Sequence, residues 1–133
     1  MDKYLNQYEI LFRKAKADFS AAQILNSRFC AGQTDLDLEV IYFHLQQCAE
    51  KLIKAVLSKK LINYPKTHDL EALLNLARVN NIDLRPDRDL LIELNDYAVE
   101  GRYGIVHDDI ENLQKYFNHL HDLLIVVGEN LRE

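Results

Sequence analysis

Apolar residues recur along this chain at alternating steps of three and four, the spacing that sets side chains on one stripe of an α-helix. Leu5, Tyr8, Phe12, Ala15, Phe19 and Ala22 trace one such stripe, widened by Leu11, Leu25 and Phe29, and predict a first helix over about residues 3–29. Gly32 is its stop signal, and Thr34 or Asp35 caps the next helix. Leu38, Ile41, Leu45, Cys48, Leu52 and Val56 repeat the pattern over about 36–60, until Pro65 breaks it. A short third helix, capped by Thr67 or Asp69, carries Leu70, Leu73, Leu74 and Ala77. A fourth, over about 88–100, turns Leu90, Leu91, Leu94 and Ala98 inward. The last is the most regular: Ile110, Leu113, Phe117, Leu120, Leu124 and Val127 hold the spacing, and Leu131 continues it. Asp108 or Asp109 opens it with negative charge where the helix dipole favours it. Short connections between three long helices and two short ones predict an all-α, antiparallel bundle of four to five helices, with residues 1–133 as one domain.

Composition supports this reading. Four glycines and two prolines are too few turn residues for a β-sandwich or a doubly wound sheet. The net charge of −5 argues against recognition of nucleic acid through a broad basic surface, and no binding in a DNA groove is expected. The charge is uneven, however. Residues 1–66 hold ten Lys and Arg against seven Asp and Glu, whereas residues 67–133 hold six against fourteen. Any contact with a polyanion is therefore local. Cys30 and Cys48 lack metal-binding spacing and read as reduced thiols in helices, with a disulfide between neighbouring helices as the other option. No apolar run is long enough to span a membrane and the N-terminus lacks a signal-like apolar segment, so the expected location is cytoplasmic.

Three motifs then stand in order: Q-Q-C-A-E-K-L-I-K-A on the second helix, H-D-L at residues 68–70, and L-N-D-Y-A-V-E-G-R-Y-G at residues 94–104. Their order and spacing resemble the HEPN family (higher eukaryotes and prokaryotes nucleotide-binding), across essentially the whole chain. The resemblance implies a helical bundle, usually a homodimer, often encoded beside a minimal nucleotidyltransferase and sometimes paired with it as toxin and antitoxin. Many members carry an arginine, four to six residues, then a histidine. They cleave RNA without a metal in a cleft where two protomers meet. Here Arg102 and His107 have that spacing. Tyr103 follows the arginine where the ribonuclease members usually have a polar residue, and Gly104 stands where the R-Y-P branch has proline.

The residue types suit that chemistry. Histidine titrates near working pH and can manage the protons of the attacking 2′-hydroxyl and the leaving oxygen. Arginine keeps its charge and matches phosphate oxygens with a fork of donors. On one continuous helix, residues five apart point about 140° away from each other. Gly101 and Gly104 flank Arg102 and allow the backbone to re-aim both side chains. The candidate catalytic pair is thus Arg102 and His107, with Tyr97 or Tyr103 stacking on or positioning a base. The bland alternative is a helix end at Gly101 with its favourable arginine, and a histidine that helps start the last helix. A binding pocket without turnover lies between these, as a nucleotide-binding or partner module for a nucleotidyltransferase.

Phe43, Gln47, Glu50 and Lys54 share a face of the second helix roughly opposite Leu45, which suggests a second contact surface, with Lys51 and Lys54 as phosphate contacts. The alternative is a solvated stripe with a Glu50–Lys54 pair. His68 reads as a cap or packing residue near the bundle end. His119 and His121, two apart on a helix, point in different directions and do not form a metal site. No metal or cofactor is expected.

Overall fold

The computed structural model describes residues 6–33, 38–84, 87–97 and 110–133, the side chains of residues 97 and 110–112 excepted. Its helices are α1 (Gln7–Cys30), α2 (Leu38–Lys59), α3 (Leu70–Val79), α4 (Arg88–Glu93) and α5 (Ile110–Leu131), with a 3₁₀ turn (Leu94–Tyr97) after α4. The described residues include no strand, as expected of an all-α bundle. The helix expected over 88–100 tightens at Leu94 into that 3₁₀ turn, a common way for a helix to end. Residues 98–100 of the expected helix lie outside the described residues.

Polar side chains fix where the helices begin. The Glu9 carboxylate accepts from the Asn6 backbone N–H at 3.2 Å, ahead of α1. Asp69 accepts from the Glu71 N–H at 2.9 Å to start α3, and Asp87 from the Leu90 N–H at 3.2 Å to start α4. The ends of α1, α2 and α3 share one device. Gln33 N–H donates to the Arg28 carbonyl, Ile62 to Leu57, and Ile82 to Ala77, each closing a six-residue loop around one residue of positive φ. That residue is Gly32, Leu61 and Asn81 in turn.

Cross-helix contacts give the topology. Lys59 at the end of α2 lies over the Tyr8 ring at the start of α1, and Asp18 midway along α1 meets Lys51 of α2, so the two run antiparallel. Phe19 of α1 packs edge-on against Phe117 near the start of α5, and Phe12 lies beside Gly128 near its end. The third long helix is therefore also antiparallel to α1. Tyr42 and Tyr116 meet edge to face at 5.4 Å, which sets α2 and α5 side by side in the same direction.

Helix α2 is the centre of the bundle, contacting α1, α3, α5 and the 3₁₀ turn. Ile41, Leu45, Leu52, Ile53 and Leu57 are fully buried, and so are Ala49 and Ala55 on other sides of the same helix. A helix buried this widely cannot have a simple polar stripe. Its polar residues are enclosed, and that enclosure builds the site below.

Candidate functional site

Of the residues picked from sequence, Arg102, Tyr103 and His107 lie outside the described residues, and so does the Tyr97 side chain. Lys51 and Lys54 are described, and each is held by a carboxylate of the same chain. Lys51 Nζ pairs with Asp18 Oδ2 on α1, and Lys54 Nζ pairs with Glu50 Oε2 at 2.9 Å. The two lysines lie on one helix but are not brought together. They anchor separate polar clusters.

The first cluster surrounds Asp18. Its carboxylate bridges His44 Nδ1, 3.0 Å away, and the Lys51 ammonium, so one α1 side chain ties down two turns of α2. Cys48 is buried in the same stretch. Burial pushes its thiol far above the ordinary cysteine range, and the Asp18 charge adds to that. This sulfur is an apolar core atom, not a nucleophile. Cys30 is a free, exposed thiol at the end of α1.

The second cluster is built around Glu50, which is 4 % exposed. Glu50 Oε1 receives His68 Nδ1 at 2.9 Å and Gln46 Nε2 at 3.3 Å, while Oε2 holds Lys54. Gln46 is fully buried; it also donates to the His68 carbonyl at 3.1 Å and accepts from Gln47 Nε2 at 2.7 Å. Burial alone would raise the Glu50 carboxyl, but the hydrogen bonds from Lys54 and His68, with the Lys54 charge and Gln46, outweigh it. They hold Glu50 below the usual range. Lys54 also lies over the Tyr64 ring at 5.8 Å. Burial, reinforced by the Glu50 charge, pushes the Tyr64 phenol up.

The face carrying Glu50 and Lys54 is thus a contact surface rather than a solvated stripe, and at Glu50 the contact comes from the same chain. His68 and the start of α3 cover it. Asn95 extends the arrangement from the far side of the bundle. Its Oδ1 accepts from the Leu70 N–H at 2.8 Å, and its Nδ2 donates to Asp69 Oδ1 at 3.0 Å. The arm formed by α4 and the 3₁₀ turn is therefore fastened to the two residues after His68. Its end is braced elsewhere by Tyr116, whose hydroxyl donates to Glu93. Burial, then Glu93, raises that phenol well above its ordinary value.

The two histidines of α5 serve different neighbours, as their spacing implies. His119 Nε2 accepts from the Asp87 N–H at 2.6 Å, whereas His121 lies beside the Phe19 ring. Among the described residues, no three His, Cys, Asp or Glu side chains are grouped as a metal ion would require. A groove of about 550 Å³ between α1 and α5 is floored by Phe12, Phe19 and Leu124 and rimmed by Lys16 and Arg132. Neither Lys51 nor Lys54 lines it.

Two parts of this arrangement are hidden in the sequence. Gln46 stands one turn before Glu50, a spacing that signals a hydrogen bond, but its full burial follows only from α2 being enclosed. The Glu50–His68 pair joins residues eighteen apart across a proline-containing loop, and no periodicity reports such a contact.

A family model described as HEPN domain matches residues 8–130. No curated protein and no solved structure matches the chain.

Proposed function

Because the chain belongs to the HEPN domain family over nearly its whole length, we propose that it is a metal-independent endoribonuclease with a composite site built on Arg102 and His107. Membership supports a nucleotide- or RNA-related function in general. The finer reading is carried by one observation: the R-x4-H spacing of Arg102 and His107 inside the matched region.

In this reading His107 accepts the proton of the attacking 2′-hydroxyl, and Arg102 binds the phosphate and stabilises the charge that grows on it. Tyr97 or Tyr103 stacks on or positions a base. Two protomers of a homodimer each contribute one copy of the motif to a shared cleft. The products are a 2′,3′-cyclic phosphate and a 5′-hydroxyl, with no metal or cofactor required. The state of the two site lysines supports giving the main phosphate contact to Arg102. Lys51 and Lys54 are each already neutralised by a carboxylate, so their contribution to RNA binding is secondary. A cytoplasmic location belongs to the same proposal; among the described residues no helix is long and apolar enough to cross a membrane.

A second reading has its own support. Tyr103 and Gly104 depart from the residues usual after the arginine in ribonuclease members. On that reading the chain is a non-catalytic nucleotide-binding module or the partner of a minimal nucleotidyltransferase, as in a toxin–antitoxin pair.

Cleavage of a mixed RNA pool by the purified protein in EDTA separates the two. The ribonuclease reading expects cleavage by wild type and a loss of about 100-fold or more in Arg102→Ala and in His107→Ala, with helicity and oligomeric state kept. Absence of cleavage by wild type rejects it in favour of the binding module.

A further inference from the structure

Strand scission needs two proton transfers on opposite sides of the phosphorus, because the attacking and leaving oxygens are in line. One imidazole cannot stand at both. His107 is assigned to the attacking side, which leaves the departing 5′-oxygen without a donor.

The Glu50 cluster holds a side chain suited to that task. His68 Nδ1 is fixed 2.9 Å from a buried carboxylate oxygen, while the His68 side chain is 62 % exposed. A carboxylate can only accept, so Nδ1 carries the hydrogen and Nε2 is the nitrogen left to exchange protons with solvent or substrate. The carboxylate is itself immobilised by Lys54 and Gln46, and Gln46 also grips the His68 backbone carbonyl. This is far more structure than an exposed loop histidine requires. The next residues, Asp69 and Leu70, are fastened to Asn95, which precedes Arg102 by seven positions in the sequence.

We propose that His68, oriented by Glu50, is the general acid of RNA cleavage, a proposal that rests on the ribonuclease reading. As the 2′-oxygen forms its bond to phosphorus and gives its proton to His107, the bond from phosphorus to the 5′-oxygen breaks. The departing oxygen takes the Nε2 proton of the His68 imidazolium. No water, oxidant or metal enters the balance.

The leaving group supplies the test. Wild type, His68→Ala, His68→Asn and His107→Ala are compared on an RNA oligonucleotide and on uridine 3′-(p-nitrophenyl phosphate), whose nitrophenolate departs without a proton. The asparagine side chain keeps an N–H for Glu50 but exchanges no proton, so His68→Asn preserves a purely structural tie. Both His68 variants are expected to lose about 100-fold or more on RNA and far less on the nitrophenyl ester, while His107→Ala loses activity on both. Three results overturn the proposal: equal losses on the two substrates, recovery of RNA cleavage by the asparagine variant, or no loss on RNA. If wild type cleaves neither substrate, the ribonuclease reading fails and this one with it. If wild type cleaves and the His68 variants match it, only the assignment of His68 fails.

Discussion

Glu50 shows how much can depend on one enclosed carboxylate. Its hydrogen bonds favour the charged form more than burial disfavours it, so its folded-state pKa lies below the ordinary 4.5. A depressed carboxyl contributes stability that is fully present above the unfolded value and is lost as pH falls through the folded one. The contribution of Glu50 should therefore fade as pH drops from about 4.5 downward. Glu50→Gln removes the charge while keeping the shape, and leaves Lys54 only 14 % exposed without its partner. Loss of about 3 kcal/mol at neutral pH is expected from urea unfolding, on the scale of a broken buried ion pair. The gap from wild type should narrow below about pH 4. A gap unchanged with pH would mean that the charge of Glu50 is not what stabilises the fold. None of this is legible from the i, i+4 spacing of Glu50 and Lys54, which reads equally as a solvent-facing pair.

At the scale of the element, the helix ends divide into those the sequence announces and those it conceals. Gly32 marks the end of α1 by its residue type, and Asn81 does so more faintly for α3. Leu61 closes α2 with the same hydrogen bonds at φ 59°, where a side chain is strained, and it is 91 % exposed. A leucine is no stop signal, so only Pro65, four residues later, reveals that the helix is over. The strain at Leu61 can be relieved. Leu61→Gly should stabilise the protein by about 0.5–1 kcal/mol, since relief of the left-handed penalty exceeds the added freedom of the unfolded chain. Thermal unfolding would show a rise in Tm; a fall would mean that the leucine side chain contributes more at the surface than its exposure implies. The change of helix type after α4 is concealed for a related reason. Leu90, Leu91 and Leu94 keep the same spacing in an α-helix and in an α-helix that tightens into a 3₁₀ turn.

Across the whole molecule, helix order and the long stripes are readable because α1 and α5 each bury one face, which makes apolar residues periodic. For helix α2 the stripe is right but the picture incomplete. The run L-I-K-A-V-L at 52–57 is apolar at nearly every position, a sign of burial all round that a single-stripe reading overlooks. That enclosure also explains why the polar residues of α2 form clusters instead of a face. The R-x4-H motif is legible as a pattern, but whether its two side chains converge is a matter of backbone path and symmetry, which spacing does not encode.

The two thiols differ as sharply as two cysteines in one small domain can. Cys30 is exposed and Cys48 has no accessible surface. A thiol reagent such as dithionitrobenzoate should therefore take one equivalent at once and the second only as fast as the bundle opens, until denaturant makes both equal. Two rapid equivalents would contradict the enclosure of α2. The slow equivalent then acts as a clock inside the native protein. Cys30 counts molecules while Cys48 counts their excursions to the open state, so RNA, nucleotide or a partner protein that slows the second reaction without touching the first identifies itself as a ligand of the folded form.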